Sequence, residues 1–206
     1  MMKRVTYSLI VFSIVVLTGC SEFHVIKPEN PSIVQIETTP LPLTVGVRIV
    51  NQRLTGGFSD MGPSFAGRLT NSNLFKTVLY PVRGDDKLDL VIAATFEGRF
   101  VPDGALFPKA FFTGFLLWLP APLIEYEHHF KASGTLQVTT QDGQQLKSYE
   151  ATSDIPVTMK IRASGIEVQN EGVKAATEDL IAQLISLLQK DKGFLNGARA
   201  EATKLP

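Results

Sequence analysis

The segment EYEHH contains the residues whose types and spacing come closest to a metal site. On a strand, Glu125, Glu127 and His129 would share one face, and Zn²⁺ accepts carboxylate and imidazole ligands. Alternate residues of a strand lie about 7 Å apart, so a further ligand would have to come from another element. His24, the remaining histidine outside this segment, lies near the N-terminus. We therefore interpret the three residues as the wet face of a strand, and His128 as a half-buried packing residue.

Other patterns that would carry catalysis or nucleic-acid binding are absent from the sequence. No serine stands in the G-x-S-x-G elbow of a hydrolase, and Thr55-Gly56-Gly57 is explained as a turn rather than a nucleotide-binding loop. Lys+Arg and Asp+Glu number 20 each, and basic residues are not interleaved with aromatic ones, which argues against a nucleic-acid partner. The sequence predicts a non-enzymatic protein without a cofactor, and a metal-dependent enzyme ranks third among the hypotheses.

Cys20 is the only cysteine and the residue with the most specific chemical context. Lys3 and Arg4 precede the apolar run Val5–Leu17, which has the length of a signal peptide and is short for a membrane span of roughly 20 residues. The run ends in Leu17-Thr18-Gly19-Cys20, which resembles the bacterial lipobox. That resemblance implies that the sulfur receives a diacylglycerol, that residues 1–19 are removed and that Cys20 becomes acylated.

The residues after Cys20 predict where the protein resides. The residue after Cys20 is Ser21, whereas an aspartate at this position would resemble a signal for retention in the inner membrane. We therefore expect a lipid anchor at the periplasmic face of the outer membrane, with membrane lipid as the first partner. Residues 20–42 include four prolines and no sustained apolar period, which predicts an extended tether.

Hydrophobic periodicity predicts one folded domain over residues 43–193, followed by a flexible tail over 194–206. The clearest pattern is the alternation of apolar and polar residues from Tyr126 to Val138, which indicates an antiparallel strand with one wet face. Asp142-Gly143 predicts the hairpin turn after it, of type I′. The other predicted strands are 43–51, 74–81, 88–100, 146–155 and 157–161, and the predicted helices begin at Ser59 or Asp60 and run over 168–190.

An apolar insertion, at about 105–124, separates the third and fourth predicted strands. Ala110–Ile124 contains no charged residue. The length argues against a membrane-crossing helix, because Pro120 and Pro122 confine the helical part to about 111–119, or about 14 Å. The remaining alternatives are a core segment and a hydrophobic finger that contacts the membrane or a partner. We favour the finger, whose contact residues are predicted to be Phe111, Phe112, Phe115, Leu116 and Trp118.

The order of elements predicts an α+β fold, with a mainly antiparallel sheet and two amphipathic helices on one face. The lipobox, "VGV", "NSNLFKTV", "DLVIAATFEGRF" and "HHFKASGTLQVTTQDGQQLKSYEA" together resemble a broad group of bacterial envelope lipoproteins. These are similar to the small α/β domain of the Tol propeller protein's N-terminus, the curli secretion lipoprotein and penicillin-binding-protein activators. The curli channel places membrane-crossing strands in its insertions, whereas this insertion lacks strand alternation.

Several members of that group act in assembly at the outer membrane, so the resemblance implies a role of this kind. We predict an envelope assembly or interaction factor with an envelope protein as partner. The alternative is a subunit of an oligomeric export or polysaccharide-secretion apparatus, which would require a homo-oligomer.

Overall fold

The structure, a computed structural model, describes residues 23–26, 39–115, 124–160 and 165–202. The predicted lipidation site Cys20 and the contact residues Leu116 and Trp118 lie outside these ranges. The strands of the described part are β1 (Phe23–Val25), β2 (Leu41–Leu54), β3 (Phe75–Leu79), β4 (Leu90–Val101), β5 (Glu125–Thr139) and β6 (Gln145–Lys160). Its helices are α1 (Gly62–Asn71), α2 (Leu106–Phe115), α3 (Gly165–Lys190) and α4 (Lys192–Ala202).

The strands form one mixed sheet in the order β1-β6-β5-β4-β2-β3. Neighbouring strands from β4 through β5 and β6 to β1 are antiparallel, whereas β2 is parallel to both β3 and β4. The parallel pair β2–β3 follows from the helix between them, because a crossover element is what returns the chain in the same direction. The predicted α+β class is confirmed, and the two parallel pairs are the detail in which the sheet differs from the prediction.

One face of the sheet carries the hydrophobic core. Along β5 the residues predicted to face inward are buried and their neighbours are not, so the alternation is realised over the whole strand. Helices α1 and α3 cover this face, and Phe65, Phe96 and Phe130 are completely buried between helix and sheet. The opposite face of β4, β5 and β6 carries alternating polar residues that remain accessible to solvent, and we call it the open face.

The β5–β6 hairpin is present, but its turn is not of type I′. Gly143 has φ +89°, while Asp142 is not among the residues with positive φ. The Gly143 N–H donates to the Thr140 carbonyl at 3.1 Å, and the Thr140 N–H donates to the Gln144 carbonyl at 2.9 Å. The turn is therefore centred on Gln141 and Asp142, with glycine in the left-handed position that follows it.

Two segments outside the predicted domain are regular structure. Phe23–Val25, within the predicted tether, forms β1 and pairs with β6, so the apolar insertion lies between the fourth and fifth strands of the sheet rather than the third and fourth. Residues 192–202, most of which were predicted as tail, form α4, in which Leu195 and Ala198 are buried. Asp191 fixes the start of this helix because it accepts a hydrogen bond from the Tyr149 hydroxyl at 2.9 Å.

Candidate functional site

Helix α2 occupies most of the described part of the apolar insertion. It begins five residues before the predicted helical part, and Asp103 accounts for that start. The Ala105 N–H donates to Asp103 Oδ1 at 2.8 Å, which satisfies one of the free donors at a helix N-terminus. Pro108 is compatible with this position because it lies in the first turn, where its missing N–H is not needed.

The aromatic side chains of α2 face solvent. Phe107, Phe111 and Phe115 recur every four residues and therefore form one stripe, with exposed fractions of 81%, 66% and 73%. Phe112 borders the stripe and is 54% exposed. The rings of Phe111 and Phe115 stack on each other with centroids 6.3 Å apart. The three predicted contact residues that the structure describes are thus on the surface, not in the core, and Phe107 contributes a fourth exposed ring.

A polar cluster attaches α2 to the end of the sheet. Lys109 Nζ lies 2.6 Å from Asp103 Oδ2 and also donates to the Glu125 carbonyl at 2.8 Å. The Glu127 N–H donates to the same Asp103 oxygen at 3.2 Å, and the Asp103 N–H donates to His128 Nδ1 at 3.1 Å. We call Asp103, Lys109 and His128 the anchor cluster, because together they join the β4–α2 connection to β5.

The electrostatics of the anchor cluster favour the charged carboxylate and the neutral imidazole. The hydrogen bond from Lys109, supported by the backbone donors, lowers the pKa of Asp103 from 3.8 to about 2. Burial lowers the pKa of His128, against the opposing charge of Asp103. Since His128 Nδ1 accepts a hydrogen bond, the neutral ring carries its proton on Nε2. His128 is almost fully buried, whereas the sequence predicted a half-buried residue. Its ring packs against Phe100, with ring centroids 5.1 Å apart.

The candidate metal residues lie on the open face, where His129 contacts Glu127 of its own strand and Asp154 of β6. His129 Nδ1 lies 2.7 Å from Asp154 Oδ1, and His129 Nε2 lies 3.6 Å from Glu127. Lys131 also contacts Asp154, at 2.8 Å. Burial opposes the charge of Asp154, but the hydrogen bonds from Lys131 and His129 outweigh it and lower the pKa of this carboxyl. Within the described ranges, no three His, Cys, Asp or Glu side chains are grouped so that they could hold a metal ion.

A shallow groove of about 540 Å³ crosses the open face beside these ion pairs. Arg53 and Glu97 form its near wall, 3.7 Å apart, and Lys131 and Asp154 form its far wall. Three basic side chains (Arg53, Arg99 and Lys131) and two carboxylates (Glu97 and Asp154) line it, with small hydroxyl residues beside them. Such a surface is typical of a solvated sheet face.

The solved structures that are similar to this chain include two lipoproteins. No protein-family model matches the sequence, and no curated protein matches it. A minor lipoprotein from Acinetobacter baumannii is similar over 74% of this chain and 91% of its own, with 9% identity and a TM-score of 0.37. Uncharacterized lipoprotein B from Nitrosomonas europaea is similar over 79% of this chain and 90% of its own, with 10% identity and a TM-score of 0.39.

These similarities do not test the narrower predictions about family, lipidation and location. The resemblance to the Tol, curli and penicillin-binding-protein activator domains stays a prediction, as do the lipid at Cys20 and the outer-membrane location. Among the helices that the structure describes, none combines the length and the apolar character needed to cross a bilayer.

Proposed function

We propose that this protein is a lipoprotein of the outer membrane that acts as a non-enzymatic assembly or interaction factor of the cell envelope. Lipid at Cys20 holds it at the periplasmic face, and helix α2 is its contact surface. The observation that carries the proposal is the exposure of four phenylalanine rings on a helix that the anchor cluster holds in place.

The area of the exposed rings supports a contact role. A phenylalanine side chain has roughly 200 Å² of surface, so the four rings together expose on the order of 500 Å² of apolar area. A contiguous apolar patch of that size is at the upper end of what a monomeric protein presents, and such patches commonly mark contact sites. If α2 contributed only to stability, folding would bury these rings.

The attachment of α2 also supports the proposal. The ion pair and the backbone hydrogen bonds of Asp103 and Lys109 hold the first turn of the helix against β5. A contact surface that is held before binding loses less conformational entropy when it binds. The helix is therefore presented in a fixed direction without being covered by its own domain.

The lipid anchor is tested by replacing its attachment site. Cys20→Ala should leave an uncleaved precursor that carries no palmitate and no longer fractionates with the outer membrane. Equal palmitate labelling and equal fractionation of the variant and the wild type would contradict the assignment.

The contact role is tested by crosslinking in cells. The variant Phe111→Ser/Phe112→Ser/Phe115→Ser should lose the envelope protein that crosslinks to the wild type, because without its contact surface the domain is no longer held in the orientation in which it meets that protein, while keeping its melting temperature. Val50→Ser is the matched control, because Val50 is an exposed apolar residue of β2 that is 64% exposed. If the triple variant retains every crosslinked partner, α2 is not the contact surface. A closed ring in native mass measurements would instead favour the export apparatus.

A further inference from the structure

Strand β1 determines where the chain leaves the predicted lipid anchor and enters the domain. Phe23 pairs with Met159 and Val25 pairs with Val157, so the end of β1 nearest the anchor lies at the C-terminal end of β6. Cys20 precedes Phe23 by three residues, and a fully extended chain covers at most about 3.6 Å per residue. The proposed lipid is therefore attached only three residues from this end of the sheet.

Helix α2 is attached at the same end of the sheet. Met159 pairs with Tyr126, and Lys109 Nζ lies 5.6 Å from the centre of the Tyr126 ring while it donates to the neighbouring Glu125 carbonyl. Adjacent strands lie about 4.8 Å apart, and β1 is two strands from β5. The N-terminal end of β1 and the end of β5 that holds α2 are thus separated by only about 10 Å.

We propose that α2 docks on the lipid bilayer that holds Cys20, so that the domain is attached to the membrane at two points. The inference rests on the proposed function, because it requires the lipid at Cys20. A helix of ten residues is about 15 Å long, so it lies in the interface with its aromatic stripe toward the acyl chains rather than crossing the membrane. Ile166, the second residue of α3, is also exposed. It lies near the same end of the sheet, because α3 follows the C-terminal end of β6 in the chain.

The charges around α2 indicate which lipids it can distinguish. Lys109 is the only charged residue of the helix, and it contacts Asp103 and the Glu125 carbonyl. Glu125 and Glu127 lie next to this attachment, and Lys160 of β6 pairs in register with Glu125, so positive charge is not in excess at this end of the sheet. Docking therefore depends on burial of the rings and gains nothing from anionic lipid headgroups.

The test places a spin label on α2 in the lipidated protein. Because Cys20 carries lipid, Phe111→Cys or Phe115→Cys introduces the only thiol that can be labelled. The mature lipoprotein is reconstituted into phosphatidylethanolamine vesicles with and without phosphatidylglycerol. The readout is accessibility of the label to oxygen and to a water-soluble nickel complex, and Val50→Cys is the control.

We expect the ratio of oxygen to nickel accessibility to be several-fold higher at positions 111 and 115 than at position 50, in both kinds of vesicle and at high salt. A label at 111 and 115 that reacts with nickel as it does at 50, in a protein held to the vesicles, overturns the inference. So does a label shielded from both reagents, which would mean contact with protein.

The two proposals fail in different ways. A protein that does not stay with the vesicles at all contradicts the lipid anchor and with it the proposed function. If the protein stays with the vesicles, the label on α2 is exposed to water, and the triple serine variant loses its partner in cells, only docking on the bilayer is refuted.

Discussion

Helices α2 and α3 both carry an apolar stripe, but only that of α3 is buried. Leu180, Leu184 and Leu188 of α3 are completely inaccessible to solvent. The equivalent stripe of α2 is formed by larger side chains and is mostly exposed, up to 81% at Phe107. The difference lies in the partner surface, since α3 runs along the apolar face of β5 and β6 whereas α2 begins where the sheet ends.

The comparison shows that an apolar stripe does not by itself place a helix in the core. The stripe of α3 packs on the face of the sheet to which the apolar residues of β5 and β6 point. Each of the two apolar surfaces is thereby shielded from solvent by the other. The side of α2 that faces the domain instead carries Lys109, which binds to Asp103 and to backbone of β5. Helix α3 is thus attached by its apolar side and α2 by its polar side.

The largest effect on stability should come from truncating the stripe of α3. Leu184 is fully buried and packs over Gly134 of β5, where an added Cβ atom would lie 3.0 Å from the Leu184 Cδ1 atom. Leu184→Ala should lower the free energy of unfolding by about 2–5 kcal/mol, because it removes buried methyl groups and leaves a cavity. Urea denaturation measures this change. A loss below about 1 kcal/mol would mean that α3 is not held by its apolar side.

A methyl group at the closest approach of α3 to the sheet should also destabilise the domain. A Cβ atom at Gly172 would lie 2.3 Å from the Phe130 ring, which is fully buried beneath it. Gly172→Ala should cost about 1–3 kcal/mol through this overlap, although alanine is the better helix former. The matched control is Gly67→Ala in α1. A Cβ atom added there would have no described atom within 4 Å, apart from its chain neighbours and nearby helix backbone, so alanine should be neutral or stabilising. Equal melting temperatures of the two variants would refute the close contact.

The polar attachment of α2 should appear as a dependence of stability on pH. Because Asp103 has a folded pKa of about 2, below its ordinary 3.8, its contribution is complete above about pH 4 and is lost as the pH falls toward 2. Because solvent screens this site, the contribution is on the order of 1 kcal/mol. Denaturation should show this part of the pH dependence missing in Asp103→Asn and smaller in Lys109→Gln, in which the backbone N–H groups of Ala105 and Glu127 still stabilise the carboxylate. If the free energy of unfolding of the wild type changed with pH as it does in the variants, the role of the anchor cluster would be contradicted.

The smallest effect is expected at the exposed stripe itself. Phe111→Ser should change the free energy of unfolding by no more than about 0.5 kcal/mol, because the ring is mostly exposed and a surface change of this kind is close to neutral. Thermal denaturation beside Leu184→Ala completes the comparison. A loss of several kcal/mol at Phe111 would show that the ring is part of the core in solution.

The sequence predicts those parts of the fold that depend on neighbouring residues in the chain. The alternation of β5 and the long amphipathic helix α3 are such local patterns, and both are present as expected. The parallel pairing of β2 with β4 could not be derived, because it depends on the order of strands in the sheet. Strand β1 has three residues, too few for alternation to be recognised.

The candidate site follows the same division. The apolar insertion and three of its rings were predicted from composition alone. The anchor cluster was not, because Asp103 and Lys109 meet Glu125 and Glu127 only after β4 and β5 have paired. One local signal was available, since Asp103 followed by Gly104 and an apolar run is a common start of a helix.

The pairing of β1 with β6 also has a consequence for the time course of folding. In a chain that emerges from a membrane N-terminus first, β1 appears before every strand of the sheet, yet its partner β6 is the last strand to appear. The hairpin of β5 and β6 can close locally, whereas β1 must wait for it and then close the longest loop in the sheet. Attachment of β1 to the sheet is therefore expected to follow formation of the β5–β6 hairpin.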